Sequence, residues 1–167
     1  MKTLHYNSPL GPLLIAEDGG HIVEISFMEA DTRQKFHQTA RPGHDPGDAP
    51  VAAACIQELE AYFAGKLQTF AVPINPTGTD FRKRVWAALM DIPYGQTISY
   101  KQLAENIGQP KASRAVGGAN NNNPISIIVP CHRVIGANGA LVGYGGGPEN
   151  KTFLLEHEKN IQANPAH

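Results

Sequence analysis

One cysteine in this sequence has the neighbours of a reactive thiol. Cys131 follows Pro130 and is followed directly by His132 and Arg133. A thiol with an ordinary pKa of about 8.5 is only a few per cent ionised at neutral pH, and nearby imidazole or cationic groups lower that pKa. Adjacent residues of an extended chain point apart, so a bridging water would carry a proton from Cys131 to His132. On these residues alone, a nucleophile and a buried, inert cysteine both remain open.

The second cysteine is expected to be structural. Cys55 lies in an apolar stretch at residues 51–56, where a cysteine usually packs as a small hydrophobic side chain. Two cysteines do not make the disulfide framework of a secreted scaffold. The N-terminus lacks a signal-peptide core, and no apolar run reaches the roughly 20 residues of a membrane helix. We therefore expect a cytoplasmic protein with two free thiols and no membrane association.

Positive charge is concentrated in the second half of the chain. The 167 residues suffice for one domain or two small ones, and 41% hydrophobic against 17% charged residues is typical of a globular protein. Residues 1–78 contain 5 Lys and Arg against 9 Asp and Glu, whereas residues 79–167 contain 9 against 6. The resulting net charges, −4 and +3, make the second half the better partner for an anion. So small an excess favours local phosphate contacts over long-range capture of DNA.

The first half has the pattern of a small α/β unit. Short β-type runs at 13–16 and 21–27, joined by a glycine-containing turn at 17–20, predict a hairpin. Apolar residues at helical spacing predict a helix from 51 to about 64. Residues 67–74 predict a further strand.

Helical patterns dominate the second half. A first helix over 81–90 can be capped by Thr79 or Asp80. Two further helices are predicted over 100–107 and 111–120. These two have the spacing of a helix-turn-helix, which is a weak signal because any helical domain contains such pairs.

The helix predicted over 111–120 has little side-chain bulk, apart from the long side chain of Arg114. Its small residues are Ala112, Ser113, Ala115, Gly117, Gly118 and Ala119. Two glycines inside a helix cost roughly 1 kcal/mol each relative to alanine. A small face lets the helix approach another surface closely, and that surface is either the rest of the protein or a narrow groove in a ligand.

The segments around Cys131 complete the expected elements. Residues 125–129 are rich in β-branched side chains and predict a buried strand, which Pro130 would end. A glycine-rich loop at 143–148 offers backbone N–H groups, either as a lid over a site or only as a linker. A final amphipathic helix over 150–158 should turn its apolar side chains inward, and carboxylates on such a helix are most often solvated. The residues concerned are Phe153, Leu154 and Leu155 on the inner face, and Glu156 and Glu158 among the carboxylates.

Five motifs, in order and with matching spacing, resemble those of the O6-alkylguanine-DNA alkyltransferase family, also called methylated-DNA–protein-cysteine methyltransferases, in its standalone form. They cover about half the chain, from Thr79 to Glu158. A lone Pro-Cys-His-Arg would be weak, but the five together are a strong signal. The motifs are Pro-Tyr-Gly-Gln-Thr-Ile-Ser-Tyr at 93–100, Arg-Ala-Val-Gly-Gly-Ala at 114–119, Asn-Pro at 123–124, Pro-Cys-His-Arg-Val at 130–134 and Leu-Leu-Glu-His-Glu at 154–158.

The resemblance implies an α+β protein of two domains. A small, ribonuclease H-like α/β domain would span residues 1–74, and a mainly helical domain with a helix-turn-helix and the active-site cysteine would span 79–160. The implied function is DNA repair, in which the alkyl group of O6-alkylguanine passes irreversibly to a cysteine of the protein itself. The implied partner is double-stranded DNA, bound through its minor groove by a monomer. Cooperative assembly along DNA and activity on O4-alkylthymine stay open.

The resemblance also implies roles for five residues at the reacting centre. Cys131 would be the acceptor thiol, His132 the base that takes its proton through a water, and Glu158 the carboxylate that orients His132. Tyr100 would protonate a guanine ring nitrogen as the base leaves, and Asn123 would brace the turn beside the thiol.

Further residues are implied in binding. Arg114 would fill the space left by a flipped nucleotide, beside four other DNA contacts: Lys111, Ser113, Ala115 and Gly117. Val134, Tyr144 and Gly145 would line the substrate pocket, although the family often has a side chain where Gly145 stands. No cofactor is expected, and no metal, because vertebrate members hold zinc with N-terminal Cys and His residues whereas the first half here offers only Cys55.

Three other functions compete with alkyl transfer. A Cys-His hydrolase would use Cys131 and His132, but such enzymes usually place the histidine far away in sequence. A non-catalytic DNA-damage sensor of the same fold would lack the cysteine that is present here. A transcriptional regulator would need more base-reading side chains than Lys111 and Arg114 provide.

Overall fold

The chain divides into two compact units, Met1–Pro76 and Thr77–His167. The computed structural model describes residues 1–28, 46–137, 139, 144 and 147–163. In this part of the chain, no helix has the length and hydropathy needed to cross a membrane.

The first unit is built on three antiparallel strands in the order β1-β2-β3. They are β1 (Lys2–Ser8), β2 (Gly11–Asp18) and β3 (His21–Phe27). The hairpin predicted from the second and third runs is confirmed, with Gly19 and Gly20 both at positive φ (58° and 82°) in the turn. This is the backbone that a two-residue hairpin turn requires. The first strand was not predicted.

One helix, α1 (Pro50–Phe63), packs on this sheet and confirms the prediction for 51–64 within one residue. Its buried side chains are Ala52, Cys55, Leu59 and Tyr62. They meet the apolar residues of the strands, among them Leu4, Leu13, Ile15, Ile22 and Ile25, in the core of the unit.

The strand predicted over 67–74 is wrong. Only Ile74 forms a bridge, to Ile22, flanked by bonds from Ile22 N to Pro73 O and from Asn75 N to Ile22 O, both 2.8 Å. Pro73 has no N–H to give to a ladder. The backbone N–H groups of the two residues before it are taken by the carboxylate of Glu58, at 2.9 and 3.2 Å. The segment's donors are therefore satisfied without a neighbouring strand.

A buried carboxylate joins β2 to the start of α1. The helix begins after Ala49, whose side chain offers no acceptor, and Glu17 Oε1 instead accepts from the backbone N–H groups of Val51 and Ala52, both at 3.0 Å. A shift in the β2–β3 register at Ala16 and Glu17 allows three consecutive residues of β2 to be buried. Negative charge at a helix N-terminus is also favoured by the helix dipole.

The second unit begins with α2 (Asp80–Leu89), capped by Thr79, which accepts from Arg82 N at 3.2 Å. Next come β4 (Ile98–Ser99) and α3 (Tyr100–Asn106), where Ser99 and Gln102 form a capping box. The predictions of these two helices are confirmed, because their start signals are local side-chain bonds to the backbone.

The third helix, α4 (Ser113–Asn121), begins two residues later than predicted. A turn in which Ala112 N donates to Gln109 O at 2.9 Å precedes it, and Ala112 takes the N-cap position. Trp86 fixes α4 against α2: its Nε1 donates to Ala119 O at 2.9 Å, and its ring covers Gly78 so closely that a Cβ there would clash.

Residues 125–129 do not form the predicted strand. Residues 126–128 make a tight turn in which Ile127 has a positive φ of 74°, although Ile125, Ile127 and Val129 are all buried, as a strand would require. The Asn123 side chain explains the difference. It bonds to Ile125 N and to Val129 O and so supplies hydrogen bonds that a neighbouring strand would otherwise make.

After this turn come a 3₁₀-helix (Cys131–Arg133), β5 (Val134–Ile135) and the last helix, α5 (Pro148–Ala163). Strands β4 and β5 pair in parallel, Ile98 with Val134 and Ser99 with Ile135. Cys131 therefore lies in a helical turn rather than at a strand end, and this short ladder brings the start of α3 beside it.

We predict that Glu17→Ala lowers the free energy of unfolding of the first unit by about 2 kcal/mol, because two N–H groups of α1 lose their acceptor. Glu17→Gln keeps one acceptor oxygen and should lose less. Urea denaturation followed by circular dichroism measures both. Asp18→Ala, at the exposed neighbouring carboxylate, is the matched control and should leave stability nearly unchanged. Equal stability of Glu17→Ala and the unchanged protein would contradict this role.

Candidate active site

The thiol of Cys131 is 4% exposed and is held by one amide side chain. Asn123 Nδ2 lies 3.2 Å from Cys131 Sγ and 2.8 Å from Val129 O, while Asn123 Oδ1 accepts from Ile125 N at 2.9 Å. One side chain thus closes the turn before the cysteine and points an N–H at its sulfur.

Burial raises the pKa of Cys131 to about 11, and the hydrogen bond from Asn123 and the positive charge of Lys151 only partly offset it. The expectation from sequence was that neighbouring cations would lower this pKa, and burial outweighs them. At pH 7 a pKa of about 11 leaves roughly one thiol in ten thousand ionised. Cys131 is therefore a protonated thiol that needs a base in order to attack.

The imidazole of His132, the next residue along the chain, is part of a buried network. His132 Nε2 lies 2.7 Å from Glu158 Oε2, and both residues are buried. Arg133 donates to the same carboxylate through two nitrogens, Nε to Oε1 at 2.8 Å and Nη2 to Oε2 at 3.0 Å. Gly95 N adds a longer bond of 3.4 Å. The carboxylate is thus surrounded by donors.

These contacts determine which side chains of the network are ionised. Burial alone would raise the pKa of Glu158, but hydrogen bonds and charge from His132 and Arg133 hold it well below its usual range. Burial lowers the pKa of His132, and its bond to Glu158 opposes this shift. The ion pair that dominates is Glu158 with Arg133, since a guanidinium is always charged. His132 is neutral at pH 7.

A neutral His132 has one donor nitrogen and one acceptor nitrogen. Because Glu158 is ionised and accepts only, the proton of His132 belongs on Nε2, and Nδ1 carries the lone pair. Nδ1 is buried and has no hydrogen-bond partner among the described residues. It is available to accept a proton.

Tyr100 is the first residue of α3 and lies against α4. A Cβ built on Gly117 would be 3.8 Å from Tyr100 Cδ1 and Cε1, an ordinary van der Waals distance, so the ring lies against this face of α4. Burial and the charge of the Cys131 thiolate raise the pKa of Tyr100, and a hydrogen bond with Asn120 lowers it. The electrostatic coupling to Cys131 means that Tyr100 belongs to the same site.

Lys151 is a buried cation that the sequence reading missed. Its side chain is 0% exposed, and Nζ donates to Val134 O at 2.5 Å. Burial lowers the pKa of Lys151, and the Cys131 thiolate would raise it. The signal was present in the sequence, because Lys151, Leu154 and Glu158 recur at i, i+3 and i+7 and so share one helix face.

Two expectations about the last helix were wrong, the inward direction of three consecutive apolar residues and the solvation of Glu158. Leu154 is buried, but Phe153 is 39% exposed and Leu155 is half-buried. Glu158 is buried and paired rather than solvated, as its helical spacing from Leu154 would have indicated, whereas Glu156 is exposed. Three consecutive residues of a helix cannot all face inward.

The residues expected to contact DNA lie on or just before α4. Lys111, Arg114 and Ala115 are exposed, and Ser113 and Gly117 are half-buried. Gly118 is exposed with nothing within 4 Å of a built Cβ. This helix therefore presents a small, open face, with Arg114 projecting at its start.

The expected pocket residues are described in part. Val134 is fully buried, and its carbonyl accepts the Lys151 bond. Burial and the charges of Cys131 and Glu158 raise the pKa of Tyr144 well above its usual value. Gly145 lies outside the described residues. Among the residues that are described, no group of three or more His, Cys, Asp or Glu could hold a metal ion.

Comparison with known proteins gives consistent matches along the chain. Residues 80–160 match the model of the 6-O-methylguanine DNA methyltransferase DNA binding domain, and residues 1–76 match that of the ribonuclease-like domain of the same proteins. The methylated-DNA–protein-cysteine methyltransferase of Mycobacterium leprae is 48% identical, over 92% of this chain and 90% of the relative. That of Methanosarcina acetivorans is 49% identical, over 92% and 95%.

A solved structure is similar over almost the whole length. The crystal structure of Mycobacterium tuberculosis OGT in complex with DNA has a TM-score of 0.83 and 46% sequence identity, and the match covers 96% of this chain and 93% of that one. The mixed α/β architecture expected from the sequence is thus confirmed.

We predict that Glu158→Gln lowers the free energy of unfolding at pH 7 by about 3 kcal/mol, because Arg133 is left buried without its counter-ion. The pKa of Glu158 is lower in the folded than in the unfolded protein, so its contribution is present above about pH 5 and is lost as the pH falls. Between about pH 5 and pH 3 the variant should therefore lose less stability than the unchanged protein.

Urea titrations over this pH range measure the effect. Glu156→Gln, an exposed carboxylate on the same helix, is the control and should follow the unchanged protein at every pH. Parallel pH profiles for Glu158→Gln and the unchanged protein would contradict the buried ion pair.

Proposed function

The chain belongs to the 6-O-methylguanine DNA methyltransferase family and repairs DNA by direct alkyl transfer, and we propose that Cys131 is the residue that accepts the alkyl group. As an enzyme it is a methylated-DNA–protein-cysteine S-methyltransferase. The observation that carries the proposal is a buried thiol, bonded by Asn123, in the same 3₁₀ turn as the histidine that pairs with Glu158.

The attack begins with proton removal. His132 takes the Cys131 proton on Nδ1 through one bridging water, and Glu158 holds the ring through Nε2. The imidazolium that forms is stabilised by the adjacent carboxylate, as a base–carboxylate pair requires. The new thiolate keeps the N–H of Asn123 and the positive charge of Lys151 nearby.

The transfer itself is an in-line displacement. The sulfur of Cys131 forms a bond to the alkyl carbon, the bond from that carbon to O6 breaks, and the electron pair stays on the guanine. Tyr100 gives its hydroxyl proton to a ring nitrogen, which makes guanine a better leaving group. Backbone N–H groups of the loop that includes Tyr144 and Gly145 stabilise the developing charge on O6.

The product is a thioether, which explains why no cofactor is needed. Since the acceptor is part of the chain and a thioether is stable, each molecule reacts once. A Cys-His hydrolase would instead release its product and turn over. The similarity to methyltransferases over 92% of the chain disfavours a hydrolase.

We propose that the domain at 79–160 both binds DNA and accepts the alkyl group, while the α/β domain spans 1–74. DNA is the partner, and a similar protein from Mycobacterium tuberculosis has been solved in complex with it. The small, exposed face of α4 fits a minor groove, where Arg114 would replace the nucleotide that is flipped out. One copy acts on each lesion, in the cytoplasm.

We predict that incubation with a short duplex carrying O6-methylguanine adds one methyl mass to the peptide that contains Cys131, because the thiol keeps the group. Cys131→Ala should show no transfer, as measured by mass spectrometry. Cys55→Ala is the control, since burial raises the pKa of Cys55 to about 12 and leaves it unreactive in the other unit. Methyl transfer that persists in Cys131→Ala would contradict the assignment.

We predict that Arg114→Ala slows repair of the duplex by roughly tenfold or more, because extruding a base costs a few kcal/mol that the arginine repays. The rate with free O6-benzylguanine should stay unchanged, since no base has to be extruded. Single-turnover kinetics with both substrates measure this. Arg82→Ala, an exposed arginine on α2, is the matched control. Equal losses for duplex and free base would argue against a flipping role.

A further inference from the structure

Asn120 is a buried amide that the proposed mechanism does not use. Its side chain is 1% exposed near the end of α4, where the other buried side chains, Val116 and Ala119, are apolar. Asparagine is a poor helix former, and burying its amide is unfavourable unless hydrogen bonds replace those to water. A buried asparagine here therefore points to a function for its hydrogen bonds.

The position of Asn120 connects two parts of the reacting centre. It follows Gly117 by three residues, so both lie on the face of α4 that the Tyr100 ring contacts. The amide is close enough to the Tyr100 hydroxyl for a side-chain hydrogen bond that lowers the pKa of this tyrosine, and its Nδ2 lies 3.4 Å from the backbone oxygen of Cys131. An asparagine amide has two N–H donors, enough for both contacts.

We infer that Asn120 is a positioning residue for proton transfer, which donates an N–H to the Tyr100 oxygen and holds the hydroxyl in place to protonate the leaving base. This inference rests on the proposed function of Tyr100. It adds that the strength of Tyr100 as an acid depends on a second side chain, one that touches neither the alkyl group nor the attacking sulfur.

The chemistry of the step explains why an N–H is needed. When the proton of Tyr100 passes to the guanine ring nitrogen, the electron pair of the O–H bond stays on the phenolic oxygen. The bond from Asn120 stabilises that charge, which is the direction in which it shifts the pKa of Tyr100. The tyrosinate is later reprotonated from solvent, so protons and electrons balance over the reaction.

The test uses two substitutions of Asn120 in the full chain. Asn120→Leu removes the amide at nearly constant volume. Asn120→Asp keeps the shape and one oxygen but removes both N–H donors, and it decides the question if the leucine variant does not fold. Each is combined with Tyr100→Phe, and the single-turnover rate of benzyl transfer from free O6-benzylguanine to Cys131 is followed by mass spectrometry.

We predict that either substitution slows benzyl transfer by about tenfold, a fraction of the 10²–10⁴ that general acids typically supply. In the Tyr100→Phe background the same substitution should cause no further loss, because the group it acts through is gone. The loss of rate caused by the Asn120 substitutions should be smaller with O6-benzyl-8-bromoguanine. Its electron-withdrawing bromine makes the purine a better leaving group, so that protonation by Tyr100 matters less. Asn106→Leu, at an exposed asparagine on α3, is the control and should react at the unchanged rate.

Alkylation of Cys131 by iodoacetamide separates this role from a structural one, because that reaction has no purine leaving group. Its rate should be unchanged in Asn120→Leu and Asn120→Asp. A parallel loss with iodoacetamide, an equal loss in the Tyr100→Phe background, or an unchanged benzyl-transfer rate would each overturn the inference. If Tyr100→Phe alone reacts at the full rate, the proposed role of Tyr100 as a proton donor is contradicted. This outcome differs from one in which Tyr100→Phe reacts slowly but the Asn120 substitutions have no effect, which would contradict only the role inferred for Asn120.

Discussion

Glu158 is a buried carboxylate that is paired with a positive charge, and the arrangement of the second unit follows from this pairing. Arg133 supplies the charge through two parallel hydrogen bonds, and its remaining nitrogen donates to Ile92 O at 2.7 Å. The guanidinium also lies over the Tyr94 ring, 5.6 Å from its centroid. One ion pair thereby joins α5, the 3₁₀-helix and the segment after α2. Because Arg133 neutralises the carboxylate, His132 can bond to it and still remain uncharged.

This division of charge has a consequence for the nucleophile. A thiolate kept permanently in the site would react with many electrophiles, whereas a thiol with a pKa near 11 is almost inert on its own. The burial that protects Cys131 also keeps His132 neutral and able to accept a proton. In the proposed mechanism, Cys131 therefore reacts only when the base and the alkylated guanine are both present. The burial that forms the core then also makes the thiol selective.

The sequence was sufficient where structure depends on neighbours along the chain. The helices starting after Thr79 and Ser99 were predicted because their caps are local, and the hairpin because of its glycine turn. Prediction failed where hydrogen bonds to a side chain replace the pairing of a β-strand with its neighbour. Glu58 takes the donors of the segment before Pro73, and Asn123 closes a turn that β-branched residues had suggested to be a strand. At the candidate site, Cys131, His132 and Glu158 come together as their motifs suggested. Lys151 had a signal in its helical spacing from Glu158 that was missed, whereas Asn120 emerges only from its burial.

Asn123 also bears on how long the protein keeps its chemical integrity. Asparagine side chains age by attack of the following backbone nitrogen, which closes a succinimide ring and finally leaves an aspartate. Asn123 is followed by Pro124, which has no backbone N–H, and its own amide is engaged in three bonds. The residue that holds the Cys131 thiol is thus shielded from this decay. For a protein that reacts once, and must wait intact until a lesion forms, such durability has direct value.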